Sequence, residues 1–477
     1  MGAQNLKNSD EFLTNKAVPE MLLVIGNGFD LSCKVPSNYI SFLKKILEKK
    51  LQYSPEELKR DGYDDIFDYV SLEIERYLEE DSFLNQTPMR LGNIVPELNS
   101  WYIMFIIKKM IYDTDWYQVE DQIASQLFVS DNKMNIIESI SDILLSIYQR
   151  DRSGTRIPRN SYIKGHEIDK IYKLLAFNLL YKKLHSFKLE STKDIFNEFR
   201  NKEHELWEDY ITKCNTGNKE YDMAFEKRLV KELCPLVAQV LLAELRELEK
   251  DFNDYLIKEL DHLDLSYQIN AIDLIYKIFS RLYSCPNNKL TTPYNIISFN
   301  YTTPWDRGDK VANLDPVFYT YLRDVKNLHG ALSRDTSEII FGIDDEFISP
   351  LSNEYIFTKP SRTLDLYSQE KNKYFQEYSD IKSLMPNTIK DIVFYGHSLS
   401  QADYSYFKIM LDTFIPREDV VFTFVYNVHK ATTDLKARRD IIERVSSLFG
   451  EYSKLKQSNT NIFVNLIQNN RIRIVKL

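Results

Sequence analysis

Met21 to Asp30 reads MLLVIGNGFD, an apolar run that breaks into Gly26-Asn27-Gly28 and then into a polar helix start. Leu22, Leu23, Val24 and Ile25 have the length and β-branched content of a buried parallel strand, which reads as a continuous apolar run because both of its faces are covered. Glycines after such a strand let the chain turn tightly and bring backbone N–H groups close to a ligand, and the positive end of the next helix favours an anion there. The Gly-x-Gly lacks the third glycine of the full dinucleotide fingerprint, and tight strand-to-helix turns also use glycine for geometry alone. Asp30, Ser32 and Ser37 are candidate caps for the following helix, which carries Tyr39, Phe42 and Leu43 on one face.

Four later stretches have the same form, an apolar run opening into small or hydrogen-bonding residues. YNIISF at Tyr294 to Phe299 leads into Asn300-Tyr301-Thr302-Thr303, and Val325 to Leu328 leads into His329-Gly330. Glu338 to Phe341 leads into Gly342-Ile343-Asp344-Asp345, and DIVFY at Asp391 to Tyr395 leads into GHSLSQAD, Gly396 to Asp403. Strands are also expected at Val420 to Tyr426, near Asn461 to Leu466 and at Arg471 to Val475, with a charged helix from Asp434 to Phe449. Strands alternating with helices predict a parallel sheet. Ligands of such sheets bind outside the carboxyl ends of the strands. GNGFD, FNYT, LHG and GHSLSQAD are therefore expected to converge on one crevice.

The intervening sequence differs in character. From about residue 51 to 284 it is long, charged and poor in Gly and Pro, with helical spacing over 135–149, 194–213 and 225–284. Leu229, Leu233, Val237, Val240, Leu241, Leu245 and Leu248 form a core stripe, and Pro235 inside it predicts a kink or a fresh helix start. An exposed loop is expected over 150–159, RDRSGTRIPR. The expected organisation is a polar leader (1–19), a first βα unit of an α/β Rossmann-like core (20–50), an all-helical insertion (51–284) and the rest of the core (285–477). The parallel sheet is thus discontinuous in sequence.

Composition narrows the function classes. The 477 residues are 43% hydrophobic and 27% charged, ordinary globular usage, with abundant Tyr (31) and Phe (27) and only 13 Gly. Lys+Arg 61 against Asp+Glu 70 leaves a net charge of −9, which argues against a general phosphate-backbone binder, so nucleic acid is not an expected partner. Cys33, Cys214, Cys234 and Cys285 form no Cys-x-x-Cys pair, so neither a disulfide framework nor a zinc ribbon is indicated and a cytoplasmic location fits. The first residues contain no apolar targeting segment, Leu6 stands where a myristoylation signal needs Ser or Thr, and Trp101 to Tyr112 is too short to span a bilayer.

GNGFD, FNYT, LHG, GIDD, an FTK at Phe357 to Lys359 and GHSLSQAD occur together in an order that resembles the AbiH family of bacteriophage abortive-infection proteins. More distantly, the motif order is similar to sirtuin-like NAD-binding domains. The resemblance implies a Rossmann-type NAD pocket and, in defence-associated members, hydrolysis of NAD in the infected cell. Gly26 and Gly28 match the phosphate-side glycines, Asn300 the pocket asparagine, His329 the catalytic histidine, and Gly396 and Ser398 the late ribose-side motif. Asp30 stands where the sirtuin loop has serine, Asn27 where it has alanine, and Thr302 where it has the aspartate that holds NAD. With no zinc ribbon, protein deacylation is not implied. The candidate site is therefore His329 and Asn300 as catalytic residues, with Gly26, Asn27, Gly28, Asp30, Thr302, Gly396, Ser398 and Asp403 binding the nucleotide.

The chemistry agrees with that assignment. Breaking the nicotinamide–ribose bond expels a neutral leaving group and builds positive charge on the sugar, so positioning and an activated water matter more than an acid. His329 could accept the proton of a ribose hydroxyl or water near neutral pH, and Asn300 could orient that water or the amide. Read alone, His329 is a structural histidine beside a turn and Asn300 a helix cap. His397 could instead join His329, Asp344, Asp345 or Asp403 around a metal, although no diagnostic ligand spacing is present and no metal is expected. Ser398 is not in a nucleophile elbow. NAD is thus expected as substrate. The candidate partners are NAD or a related nucleotide, a phage-derived activator or partner protein, and a second copy of the chain. The rival functions are a metal-dependent hydrolase of nucleotides or nucleic acid, and a non-catalytic nucleotide-sensing module.

Overall fold

Six short apolar strands give the chain its frame: β1 (Met21–Ile25), β2 (Tyr294–Ser298), β3 (Leu322–Asn327), β4 (Asp391–Tyr395), β5 (Val421–Tyr426) and β6 (Ile472–Lys476). They form one sheet in the order β3-β2-β1-β4-β5-β6, with every neighbouring pair parallel. This is the dinucleotide-fold order, whose direction of winding reverses between β1 and β4. The computed structural model describes residues 20–79, 98–112, 119–128, 135–153, 219–283, 290, 292–305, 315–334, 339–344, 348–368, 381–428, 433–456 and 461–477, with isolated residues between 175 and 208.

Composition decides which strands are central. MLLVI and YNIIS are buried at every position, and β4 and β5 are buried except at their ends. The outermost strands, LRDVKN and IRIVK, carry charge and stay half-exposed, as suits strands with one unpaired edge. Leu22, Val24, Ile297, Phe394, Phe407, Phe422, Phe424 and Phe449 share one apolar cluster. Within it Phe394 and Phe424 stack with ring centroids 4.7 Å apart.

The described helices are α1 (Asn27–Ser32), α2 (Tyr39–Leu51), α3 (Pro55–Arg60), α4 (Ile66–Glu79), α5 (Ser100–Tyr112), α6 (Val119–Leu127), α7 (Ile136–Ser153), α8 (Lys219–Leu263), α9 (Ser266–Tyr283), α10 (Pro316–Tyr321), α11 (Lys359–Ser368), α12 (Tyr404–Phe414), α13 (Asp434–Leu455) and α14 (Ile462–Gln468). Among the described residues no helix is long and apolar enough to cross a membrane. The chain divides into two compact units, one of residues 1–37, 253–339 and 365–477, which contains the sheet, and one of residues 38–252 and 340–364. The sheet is therefore discontinuous in sequence, with a long helical stretch between β1 and β2.

Several local expectations are corrected. α1 begins directly at the Gly-x-Gly, with Gly26 as N-cap and Asp30 buried in its first turn. The next helix, α2, is capped by Asn38, whose side chain accepts from Ser41 N at 2.8 Å, and not by Asp30, Ser32 or Ser37. α8 runs through Pro235 as one helix, so proline makes no fresh start there. Asn461 to Leu466 is not a strand: Asn461 accepts from Val464 N and caps α14, and Phe463 stacks on Phe449 of α13 at 5.9 Å. Ile339 to Phe341 forms no strand either, because Phe341 N donates to the Glu249 carboxylate at 2.7 Å instead of to a neighbouring strand. In the expected loop, residues 150–153 continue α7, and 154–159 lie outside the described residues, as does nearly all of the expected 194–213 helix.

Candidate functional site

β3, β2, β1 and β4 are adjacent and parallel, so their carboxyl ends lie along one edge of the sheet. The register aligns Ile25 with Ser298 and Tyr395, and Ser298 with Asn327. LHG, FNYT, GNGFD and GHSL therefore leave the sheet side by side, although they span residues 26 to 403 of the chain.

The loops after β1 and β4 are in backbone contact. Gly28 N donates to Gly396 O at 2.7 Å, and Gly26 N to Tyr395 O at 3.1 Å. A Cβ on Gly26 would stand 2.8 Å from His397 Cα, and one on Gly28 2.7 Å from Gly396 Cα. Gly396 has φ +70°, and a Cβ there would come within 2.4 Å of Phe29 N. Close approach of two loops thus accounts for all three glycines. Phe29 N donates to Gly26 O at 2.8 Å, so the Gly28 and Phe29 N–H groups are both bonded within the protein. Asn27 is tied to Ser37 by a side-chain hydrogen bond, and Ser398 is half-buried just after His397.

The FNYT loop is clamped from β3. Buried Asn327 donates through Nδ2 to Asn300 O at 2.8 Å and to Thr302 O at 3.0 Å, and Ser298 Oγ accepts from Asn300 N at 3.1 Å. These bonds fix Thr302 against Asp30. Thr302 Oγ1 donates to Asp30 Oδ2 at 2.7 Å, and Tyr267 OH, from the first turn of α9, reaches Asp30 Oδ1 at 2.9 Å and Thr302 Oγ1 at 2.6 Å. Burial pushes the Asp30 carboxyl up to about 6, against the opposing hydrogen bonds of Thr302 and Tyr267 and the influence of Asn300. The Asn300 side chain is 4% exposed, and its Nδ2 reaches no acceptor with hydrogen-bonding geometry.

A second cluster joins the ends of β3 and β4. His329 Nε2 lies 2.8 Å from Asp403 Oδ1, and His397 Nε2 lies 3.2 Å from Asp403 Oδ2. All three side chains are buried, and Phe299 packs edge-on between the imidazoles, at 5.4 Å from His329 and 4.3 Å from His397. His397 Nδ1 accepts from Leu399 N at 2.8 Å, which places its proton on Nε2 and aims that proton at Asp403. A metal-bound histidine has the opposite arrangement, with its second nitrogen donating. Asp403 thus meets both imidazoles, with Nε2 of His329 and Nε2 of His397 directed at its two carboxylate oxygens.

GIDD and FTK belong to the other unit. Ile343 and Thr358 form an isolated bridge, Lys359 N donates to Ile343 O at 2.9 Å, and Gly342 leaves room for the Lys359 side chain. Lys359 Nζ pairs with Glu120 at 3.1 Å, and Arg362 pairs with Glu249 at 2.6 Å. Asp345 lies outside the described residues.

Tyr267 stands in no motif and was not legible as a site residue. The sequence groups His397 with His329 and Asp403 only as an alternative, around a metal, and the structure brings the three together through direct contacts of both imidazoles with Asp403. Residues 177–426, a little over half of the chain, match the family model of bacteriophage abortive infection AbiH. The chain belongs to the AbiH family. The matched span takes in FNYT, LHG, GIDD, FTK and GHSLSQAD and leaves out GNGFD. No curated protein and no solved structure matches this AbiH chain. Membership in AbiH supports a role in abortive infection of phage-infected cells.

Proposed function

We infer that this AbiH protein is an abortive-infection effector that cleaves NAD at the nicotinamide–ribose bond. The observation that carries the reading is the His329–Asp403 contact of 2.8 Å at the strand ends next to Asn300. A carboxylate that holds an imidazole in one tautomer prepares it to take a proton, worth about 10²–10⁴ in rate for a well-placed general base. In this mechanism His329 Nδ1 accepts the proton of the attacking water or a ribose hydroxyl. Asn300 Nδ2, a buried donor close to the Asp30 carboxylate, orients that oxygen or the carboxamide. Nicotinamide leaves neutral, and water adds to the anomeric carbon of the sugar. The nucleotide is held by the turns at Gly26, Asn27, Gly28, Gly396 and Ser398, together with Asp30 and Thr302.

The test is nicotinamide release from NAD by purified protein, with phage-infected lysate as activator. His329→Ala and Asn300→Ala are expected to abolish release with the fold intact, and Asp403→Asn to lower it at least about 100-fold. Release that survives His329→Ala overturns the reading. The Gly28 and Phe29 N–H groups are already bonded within the protein, so in either reading a phosphate at this turn displaces one of those bonds. Binding of NAD with no release under either condition would select nucleotide sensing without turnover.

A further inference from the structure

His397, two residues after β4, sits in an apolar seat. Phe299 and Phe407 stand edge-on to its imidazole at 4.3 and 5.0 Å, and a Cβ on Gly26 would come within 2.8 Å of its Cδ2. A phenyl ring would fill that seat as well. An imidazole buried among apolar groups is costly unless both nitrogens find partners, and here both do. The glycine that gives way to the ring belongs to GNGFD and the histidine to GHSL, so the two motifs meet at one side chain.

The two partners have different roles. Nδ1 accepts from Leu399 N at 2.8 Å, and the turn that delivers this N–H is strained, because Leu399 has φ +57°, a conformation that residues with a Cβ rarely adopt. The turn fixes the Nε2–H tautomer, and Nε2 lies 3.2 Å from Asp403 Oδ2. The other carboxylate oxygen, Oδ1, lies 2.8 Å from His329 Nε2. An aspartate has two rotatable side-chain bonds, and its terminal one has a broad minimum. A donor held on Oδ2 therefore sets the plane in which Oδ1 meets His329.

We propose that His397 is a positioning residue, whose tautomer-locked Nε2–H pins Asp403 and thereby holds the His329 imidazole in one form. His397 has no nitrogen left for a ligand, so it acts only through Asp403. Gly26 is then the seat of the imidazole, and the Leu399 turn is the lock on its tautomer. The effect on nicotinamide release rests on the reading of the site given above; the pinning of Asp403 does not.

Two substitutions separate the two ends of the ring. His397→Asn keeps an acceptor near Nδ1 for Leu399 N and is too short to reach Asp403. His397→Gln puts an amide N–H near Nε2 and gives up the bond to Leu399. The full chain has seven histidines, so 15N spectra of its imidazoles, assigned by single substitutions, show where each proton sits without any turnover. In the wild type His397 is expected in the Nε2–H form and His329 in a single form. His397→Asn is expected to turn His329 into a mixture of its two tautomers, and His397→Gln to restore the single form. His397 found in the Nδ1–H form, or a His329 unaffected by His397→Asn, overturns the proposal. In nicotinamide release His397→Asn is expected to lose about 100-fold in kcat with KM little changed, and His397→Gln to recover most of it although it melts at a lower temperature than His397→Asn. Activity that instead follows melting temperature, with His397→Gln below His397→Asn, overturns the positioning role. A wild type that releases no nicotinamide overturns the NAD reading alone, and the imidazole spectra still decide whether His397 pins Asp403.

Discussion

At the scale of single residues, Asp30 makes the clearest measurable statement. Its carboxyl is raised from 3.8 to about 6 by burial, so the native state holds a proton over a range in which the unfolded chain has released it. The stability this contributes is complete below pH 3.8 and is lost as pH rises through about 6. The shift of about two units corresponds to about 3 kcal/mol. Denaturant melts across this range are expected to show that loss in the wild type and a nearly flat profile in Asp30→Asn. Gly396 gives a second test. Its φ of +70° and a Cβ approach of 2.4 Å to Phe29 N leave no room for a side chain. Gly396→Ala is expected to destabilise by about 2–4 kcal/mol, read in the same melts, since backbone strain and a backbone clash add.

At the scale of elements, the sheet depends on one side chain that its outermost strand supplies. Buried Arg471, just before β6, donates to Val420 O, Ile415 O and Phe414 O at 2.9, 3.0 and 3.0 Å. It thereby ties the end of α12 to the sheet at β5 and β6. Arg471→Ala removes a donor from three carbonyls, of which Phe414 O keeps the Arg417 N–H at 3.2 Å, and is expected to cost about 3 kcal/mol. Arg471→Lys is expected to recover little of this, because an ammonium cannot reproduce the planar fork. Element types were legible wherever burial was uniform, as in MLLVI, YNIIS and DIVFY. They were misread where a side chain took over the backbone hydrogen bonding. Asn461 turned an apolar stretch into α14, and Glu249 took the Phe341 N–H that a strand would have used.

At the scale of the whole molecule, membership in AbiH joins the geometry to phage defence, and the site can be tested there. Cells expressing the wild type are expected to restrict phage plaques, and His329→Ala at equal protein level is expected to lose that restriction. Plaque counts with immunoblotting of the protein check this. Retained restriction would place defence outside the His329 cluster.

The sequence by itself determined the parallel α/β core, its interruption by a long helical stretch, and the residues that leave each strand end. The runs MLLVI, YNIIS and DIVFY are short, largely apolar and rich in β-branched or aromatic residues, as strands covered on both faces must be, and the polar residues that stop them stand at the sheet's edge. The tertiary structure alone decided which of those residues meet. The strand order brings LHG, FNYT, GNGFD and GHSL together, and the contacts of Asp403 join His329 to His397 across residues 329 to 403. Tyr267 shows the limit most plainly. It sits on a helix with no motif around it, 237 positions from Asp30 in the sequence. A partner that distant leaves no local pattern, because hydrogen bonding between folded segments depends on where the chain returns and not on what precedes it.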